Sequence, residues 1–347
     1  MTVAGFIDRV TPNQVSGWAF DDAQPDRPVT VEVFEDGQLI ATAAATMSRP
    51  DVGAVKAGAG YCGFDVPIQG KAPSKITCLA NKQPITRANP SARAIDPASL
   101  AVAEAFAKSY GVSGDLDDRD FIFWYEDYVL PAERKGDAAL NYMQGGRATA
   151  HIVGDTLHVH QPIQPNFRLL DFASGYGRVT RFFREVFPAA DITACDIHPE
   201  AVAFIQHRLG AKAFKSDTNP QAFASPHPFE VIFALSFFTH MPRRTWGLWL
   251  NALASALAPG GLLIFSTHGL AIHKDLGEPP LDSDGFWFQA ASEQKDLDQA
   301  EYGNTVTTFD YVYSQIKITD LQLEGYRAAG IGHHDLFILR SPVVHRA

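Results

Sequence analysis

Leu169-Leu170-Asp171-Phe172-Ala173-Ser174-Gly175-Tyr176-Gly177-Arg178 decides the reading of this chain. An apolar run suited to a buried strand passes into a loop with two glycines. A helix is expected next, over 177–186, stopped by Pro188. Glycines at 175 and 177 let the backbone approach a ligand closely and adopt positive φ. Ligands of open α/β sheets sit at the carboxyl ends of the strands, so this loop is the expected binding edge. Working outward, strands are predicted over 168–172, 191–197, 212–215, 230–235 and 262–267. Helices are predicted over 199–209 and 243–258, the latter ended by Pro259-Gly260-Gly261. That alternation implies a parallel sheet covered on both faces. Two further strands, over 321–328 and 336–340 with a Gly/His turn between them, predict an antiparallel hairpin on the sheet edge.

Asp196 follows Gly175 by 21 residues and ends the second strand. A carboxylate there can accept hydrogen bonds from both hydroxyls of a ribose. A dinucleotide would call for G-x-G-x-x-G, yet Thr180 stands at the third glycine position. Asp171, directly before the loop, would repel a pyrophosphate and suits an ammonium group. A nucleoside that carries an amino acid and no phosphate therefore fits best, which is the composition of S-adenosylmethionine.

The segments DFASGYGR, ACDIHPEAV, FEVIFALSFFTHM and LAPGGLLIFSTHG, within about 167–340, together resemble the class I S-adenosylmethionine-dependent methyltransferases. The resemblance implies a Rossmann-like α/β fold: a seven-stranded, mainly parallel sheet with a C-terminal antiparallel hairpin. It implies S-adenosyl-L-methionine as cofactor. By the same resemblance Asp171 and the loop of Ala173, Ser174, Gly175 and Gly177 hold the methionine end. Asp196 is the ribose ligand and Ile197 an adenine neighbour. Asp217 bonds the adenine amino group with Thr218 beside it, and Leu235 and Ser236 pass under the cofactor. Upstream, 141–147 (NYMQGGR) resembles an element of one branch of the family in which Tyr142 covers the methionine end. Arg147 is either a forked donor for the cofactor carboxylate or a solvated charge at the helix end. Phe237-Phe238 departs from relatives that read the acceptor with polar residues there.

Methyl transfer from a sulfonium is a direct displacement, helped by alignment and by removal of a hydroxyl proton. His240 after the fourth strand and His268 after the fifth are the candidate bases, as a near-neutral pKa suits that work. His334-Asp335 either lines the same pocket or closes the hairpin turn, the turn being the favoured reading. No metal site is expected: His158-x-His160, taken as an extended segment, and His333-His334-Asp335 lack a second ligand set. No GxSxG element is present. Phe121, Phe123, Trp124, Tyr125 and Tyr128 read as a packed helix face, with a lid over the acceptor as the other option. Phe286-Trp287-Phe288 lies where this fold inserts acceptor-binding elements.

Residues 1–87 read as short strands separated by Gly, Pro, Asn and Asp, predicting a small antiparallel sandwich with Trp18 and Phe64 in its core. The segment 81–97, with Pro84, Pro90 and Pro97, has linker composition, the linker being set at 88–98; 99–150 reads as a helical lead-in to a domain spanning 99–347. Gly5-Phe6-Ile7-Asp8, Gly17-Trp18-Ala19, Asp36-Gly37, Arg49-Pro50-Asp51-Val52 and Gly63-Phe64 resemble a β-sandwich module of bacterial enzymes that build or decorate surface polysaccharides. The resemblance implies a glycan or small-molecule acceptor, the module either binding glycan or mediating assembly.

Composition bounds the rest. With 29 Lys+Arg against 39 Asp+Glu the net charge is −10, which argues against a nucleic-acid partner. Cys62, Cys78 and Cys195 form no CxxC pair, as expected of reduced thiols in a cytoplasmic protein. Neither a secretory signal nor an apolar run long enough to span a membrane is visible. The expected function is O-methylation of a sugar hydroxyl or related small molecule. The alternatives are a non-catalytic cofactor-binding or scaffold protein, favoured if Phe237-Phe238 fill the acceptor space, and an NAD-dependent oxidoreductase.

Overall fold

The computed structural model describes residues 3–11, 13–49, 60–69, 76–87, 95–130, 132–160, 164–292, 294 and 297–343. The chain divides into two compact units, Met1–Arg93 with Gln294–Leu297, and Ala94–Glu293 with Asp298–Ala347. Of the sequence expectations, Arg49-Pro50-Asp51-Val52 beyond residue 49, the start of the strand predicted over 74–80, and most of the predicted linker lie outside the described residues.

The first unit holds β1 (Val3–Thr11), β2 (Gln14–Asp21), β3 (Thr30–Glu35), β4 (Gln38–Ala44), β5 (Met47–Ser48), β6 (Tyr61–Pro67), β7 (Ile76–Ala80) and β8 (Gln83–Arg87). They hydrogen-bond in the order β4-β3-β7-β8-β1-β2-β6-β5. One face is lined by Ile7, Val15, Val31, Val33, Phe64, Val66, Cys78 and Ile85, all buried in one cluster. Asp36 and Gly37, with φ of 47° and 81°, make the two-residue turn between β3 and β4. Three expectations are corrected. Gln83–Arg87 is a strand rather than linker, because Asn81 and Lys82 take φ of 44° and 65° and fold the chain back onto β7. β8 pairs with β1 in parallel at Phe6–Thr86 and Ile7–Arg87, past Pro84, so the sheet is not wholly antiparallel. Trp18 is not in the main core: Val15, Gly17 and Ala19 take that face, and the period of two sends Trp18 to the other, beside Phe20 and Cys62.

The second unit begins with α1 (Pro97–Lys108), α2 (Phe121–Val129) and α3 (Ala138–Val159). Asp96 and Asp120 cap α1 and α2 through side-chain oxygens that accept backbone N–H groups. α3 runs through Gly145 and Gly146 instead of ending there. A Cβ at Gly146 would stand 2.3 Å from the Arg178 carbonyl oxygen, so the glycine serves close approach. His158 lies on α3 and His160 caps it, so neither is on an extended segment. Among the described residues no metal-ligating cluster occurs. None of the described helices is long and apolar enough to cross a membrane.

The sheet that follows comprises β9 (Arg168–Phe172), β10 (Asp191–Asp196), β11 (Lys212–Lys215), β12 (Phe229–Ala234), β13 (Leu257–His268), β16 (Gln322–Ile331) and β17 (His334–Arg340). Its order is β11-β10-β9-β12-β13-β17-β16. The first five strands are mutually parallel, and β17 and β16 are antiparallel. This is the predicted α/β, Rossmann-like sheet with its terminal hairpin. Helices α4 (Thr180–Val186), α5 (Pro199–Phe204) and α6 (Arg243–Ser255) connect the strands, followed by α7 (Leu270–Asp275) and α8 (Phe309–Ile316). Pro259-Gly260-Gly261 lies within β13, so α6 ends earlier than predicted. Between β13 and β16 a ribbon of β14 (Phe286–Gln289) and β15 (Asn304–Thr307) is inserted. Strands buried on both faces explain the near-continuous apolar runs of β9, β12 and β13.

Candidate functional site

The carboxyl ends of β9, β10, β12 and β13 share one edge of the sheet. The loop leaving β9 turns through Ala173, Gly175 and Gly177, whose φ are 57°, 54° and 74°. A side chain at Gly175 would meet open space, so its glycine answers to backbone geometry alone. Gly177 is also tight, with Leu209 2.5 Å from an added Cβ. Ala173 holds a left-handed conformation that costs an L-residue about 1 kcal/mol. Such strain collects at ligand-binding edges.

Two carboxylates flank the loop. Asp171 is buried and, among the described residues, accepts only the Thr180 hydroxyl, at 2.6 Å. Burial pushes its pKa up to about 7, and the charge of Asp196 adds to this. Asp196 accepts the Gly175 amide at 2.8 Å through Oδ2, and the His198 amide and ring at 2.9 and 3.0 Å through Oδ1. The Ser174 amide donates to the Cys195 carbonyl at 3.1 Å, completing the seam between loop and second strand. Ile197 follows, half-buried. Asp217 and Thr218 are exposed beyond β11, and Asp217 accepts the Asn219 amide at 2.8 Å. Leu235 and Ser236 lie half-buried at the end of β12, Ser236 with a φ of 56°.

The upstream candidates separate. Tyr142 is fully buried, and its hydroxyl donates to Asp120 at 2.5 Å. Burial raises the pKa of both groups, leaving Asp120 a strong acceptor that caps α2. Arg147 forks onto Glu185 at 2.5 and 3.0 Å and stacks over Tyr110 at 3.9 Å, so its guanidinium is committed away from the loop. Arg178 takes the position at the loop: it donates to the Tyr142 carbonyl at 3.1 Å and to Glu126 on α2 at 2.7 Å. Of the aromatic residues on α2, Phe123 is buried and Trp124 half-buried, both packed with Ile122 against the core, while Tyr125 and Tyr128 are exposed.

Three histidines converge at the same edge. His240 is buried; its Nδ1 donates to the Gly303 carbonyl at 2.7 Å, and Tyr302 stacks on its ring at 4.2 Å. His268 lies at the end of β13, and its buried Nδ1 has no partner among the described residues. Burial, with His334 and His240 beside it, pushes its pKa down to about 2, leaving it a very weak base. His334 was read as part of a turn, but it is the first residue of β17, paired in register with His268. The two rings meet edge to face at 4.8 Å. Its Nδ1 lies 3.2 Å from the Ser266 hydroxyl and 3.4 Å from that of Ser236. Phe237 and Phe238 pack down onto Phe172, Trp249, Trp246 and Phe265, so they fill the core rather than an acceptor space.

A search of curated proteins finds no match to the sequence. Among solved structures, a S-adenosylmethionine-dependent methyltransferase from Clostridium acetobutylicum ATCC 824 is similar at 13% identity and a TM-score of 0.43, covering 56% of this chain and 90% of its own. CalS10, an amino pentose methyltransferase from Micromonospora echinaspora, is similar at 15% identity and 0.44, covering 65% and 98%. DesVI of Streptomyces venezuelae is similar at 16% identity and 0.42, covering 66% and 100%. Over residues 170–263, from the third position of β9 into β13, the sequence matches the family model of a methyltransferase domain.

Proposed function

We propose that this chain is an S-adenosyl-L-methionine-dependent methyltransferase whose acceptor is a sugar hydroxyl or a related small molecule. The observation that carries the reading is the pairing of the Gly175 amide with the Asp196 carboxylate, with Asp171 buried one strand over. Two carboxylates at this edge suit a ligand with hydroxyls and an ammonium and oppose a pyrophosphate. Arg178, the cation at the loop, is already held by Glu126. The match to a methyltransferase domain over 170–263 supports the same reading.

When bound, the cofactor supplies an electrophilic methyl group on sulfur. In this reading Asp196 takes the ribose hydroxyls, Ile197 and Leu235 flank the adenine, and Asp217 accepts from its amino group. Asp171 faces the ammonium, and the backbone of 173–177 carries the methionine portion. Tyr142 acts at one remove, holding α2 through Asp120. The site then aligns the acceptor with the methyl group, and alignment supplies much of the rate. His240 accepts the acceptor's proton. The Gly303 carbonyl oxygen can only accept, so the Nδ1 proton is fixed and Nε2 carries the lone pair. The sugar acceptor draws on the resemblance of residues 3–70 to modules of polysaccharide enzymes.

Calorimetric titration with S-adenosylhomocysteine tests the reading. Saturable binding to the native chain and a large loss in Asp196→Ala are expected. No heat from the native chain, or saturation by NADH in its place, overturns it.

A further inference from the structure

Two residues past β12, Ser236 turns the chain with a φ of 56°, a left-handed conformation that an L-residue keeps only when its surroundings hold it. Side-chain hydroxyls take both of its backbone polar groups. Its amide donates to Ser266 Oγ at 2.8 Å, and its carbonyl accepts from Thr239 Oγ1 at 2.6 Å. Ser266 and Thr239 are fully buried. Since Ser266 Oγ accepts the amide, its own hydrogen must find an acceptor. Among the described residues that acceptor is His334 Nδ1, at 3.2 Å. Were Nδ1 protonated, two donors would meet one buried oxygen and the hydroxyl hydrogen would be left unpaired. The Ser236 hydroxyl, at 3.4 Å, is the longer contact to the same lone pair. Burial, together with His240 and His333, pushes the His334 pKa down to about 4, so the ring is neutral near pH 7. Pairing of His334 with His268 between β17 and β13, with the two rings edge to face at 4.8 Å, brings the imidazole to Ser266.

We infer that His334 is a positioning residue: its bare Nδ1 orders the Ser266 hydroxyl, and that hydroxyl holds Ser236 in the turn that passes under the cofactor. The last step rests on the methyltransferase reading; the hydrogen-bond order does not. The chain of control runs from the edge hairpin to the end of the fourth core strand, His334 to Ser266 to Ser236, with Thr239 closing the turn from the other side. His334 acts as an acceptor here and gives up no proton. A ring of the same shape without Nδ1 would keep the packing on His268 and lose the control of Ser236, whereas a short amide would keep the acceptor and lose the ring.

The test is NMR of the ¹⁵N-labelled chain near pH 7, which reads the His334 tautomer and the hydrogen exchange of the Ser236 amide, followed by calorimetry with S-adenosylhomocysteine. The expected result is His334 protonated at Nε2 with Nδ1 bare. His334→Phe should speed Ser236 exchange and weaken S-adenosylhomocysteine binding by about tenfold each, the equivalent of one lost hydrogen bond. His334→Asn, whose side-chain oxygen falls near the Nδ1 position, should stay within about threefold of native in both. In a Ser266→Ala background His334→Phe should add less than about threefold to the exchange rate, because the two residues act through one chain. His334 protonated at Nδ1, a Phe variant closer to native than the Asn variant, or additive effects of His334→Phe and Ser266→Ala overturns the inference and leaves His334 a packing residue. Failure of the methyltransferase reading shows separately, as absence of S-adenosylhomocysteine binding to the native chain with tautomer and exchange still readable.

Discussion

The Gly175 amide and the Asp196 carboxylate meet at 2.8 Å, so one side chain at the end of the second core strand fixes the loop that leaves the first. Asp196 therefore shapes the edge before any ligand arrives. Asp196→Ala is expected to weaken S-adenosylhomocysteine binding at least 30-fold, about 2 kcal/mol, through lost hydroxyl contacts and a loosened loop. Calorimetry measures it; a change under threefold would contradict the role given to this residue.

Asp171 makes a pH-dependent prediction. With its folded pKa at about 7, the native chain holds a proton that the unfolded chain releases above about pH 4. That contribution to stability is present in full below the unfolded value and is lost as pH rises through about 7. Asp171→Asn should flatten the slope and raise stability above pH 7 by on the order of 2 kcal/mol, while weakening cofactor binding. Ligand binding near pH 6.5 should release a proton from the native chain, seen as buffer-dependent heat in calorimetry. Buffer-independent heat would refute the ammonium contact.

His240 and His268 should differ sharply. His240→Ala should cut kcat by about 10²-fold or more with S-adenosylhomocysteine affinity preserved. His268→Asn should leave less than about tenfold effect on kcat, because a ring with so low a pKa contributes little as a base. Steady-state assays with a sugar acceptor decide this; reversed effects would move the proton-accepting role to β13.

Arg147 is a structural cation. Arg147→Ala should lower stability by about 1 kcal/mol, since the bidentate pair with Glu185 is partly exposed and solvent screens it. Cofactor affinity should stay within about twofold of native. Thermal unfolding and calorimetry on the same variant separate the two effects.

Gly146→Ala brings a methyl group to 2.3 Å from the Arg178 carbonyl oxygen. Backbone cannot yield as a flexible side chain can, so a loss of about 2 kcal/mol is expected, with weaker ligand binding as the loop shifts. A melting temperature equal to native would show that α3 and the loop are not in such close contact.

The sheet and the loop at its carboxyl edge were legible because their signals are local. Apolar strands, the two glycines, Asp171 and Asp196 each declare themselves within a few residues. What escaped depends on partners far along the chain. His334 reaches the site only because Leu262 pairs with Arg340 and each following pair keeps that register to His268 and His334. Gly145 and Gly146 resemble a helix end until Arg178 is seen against them. Arg147 resembles a ligand until Glu185 is placed beside it. Trp18 illustrates a parity effect, where large size suggested the core and alternation along β2 sent it to the other face.

Arg181 is buried on α4, where it donates to the carbonyls of Gly177, Ser113 and Asp115 at 3.1, 3.1 and 2.7 Å. Two of these acceptors come from the stretch ahead of the first core strand. A guanidinium stripped of them would sit uncompensated inside the protein, at a cost of several kcal/mol. Trimming the gene to start at Arg168 would remove these acceptors together with Tyr142, Met143 and Val153, which share a core with Leu169 and Phe182, so grafting the sheet onto another leader would require carrying residues 95–160 along with it.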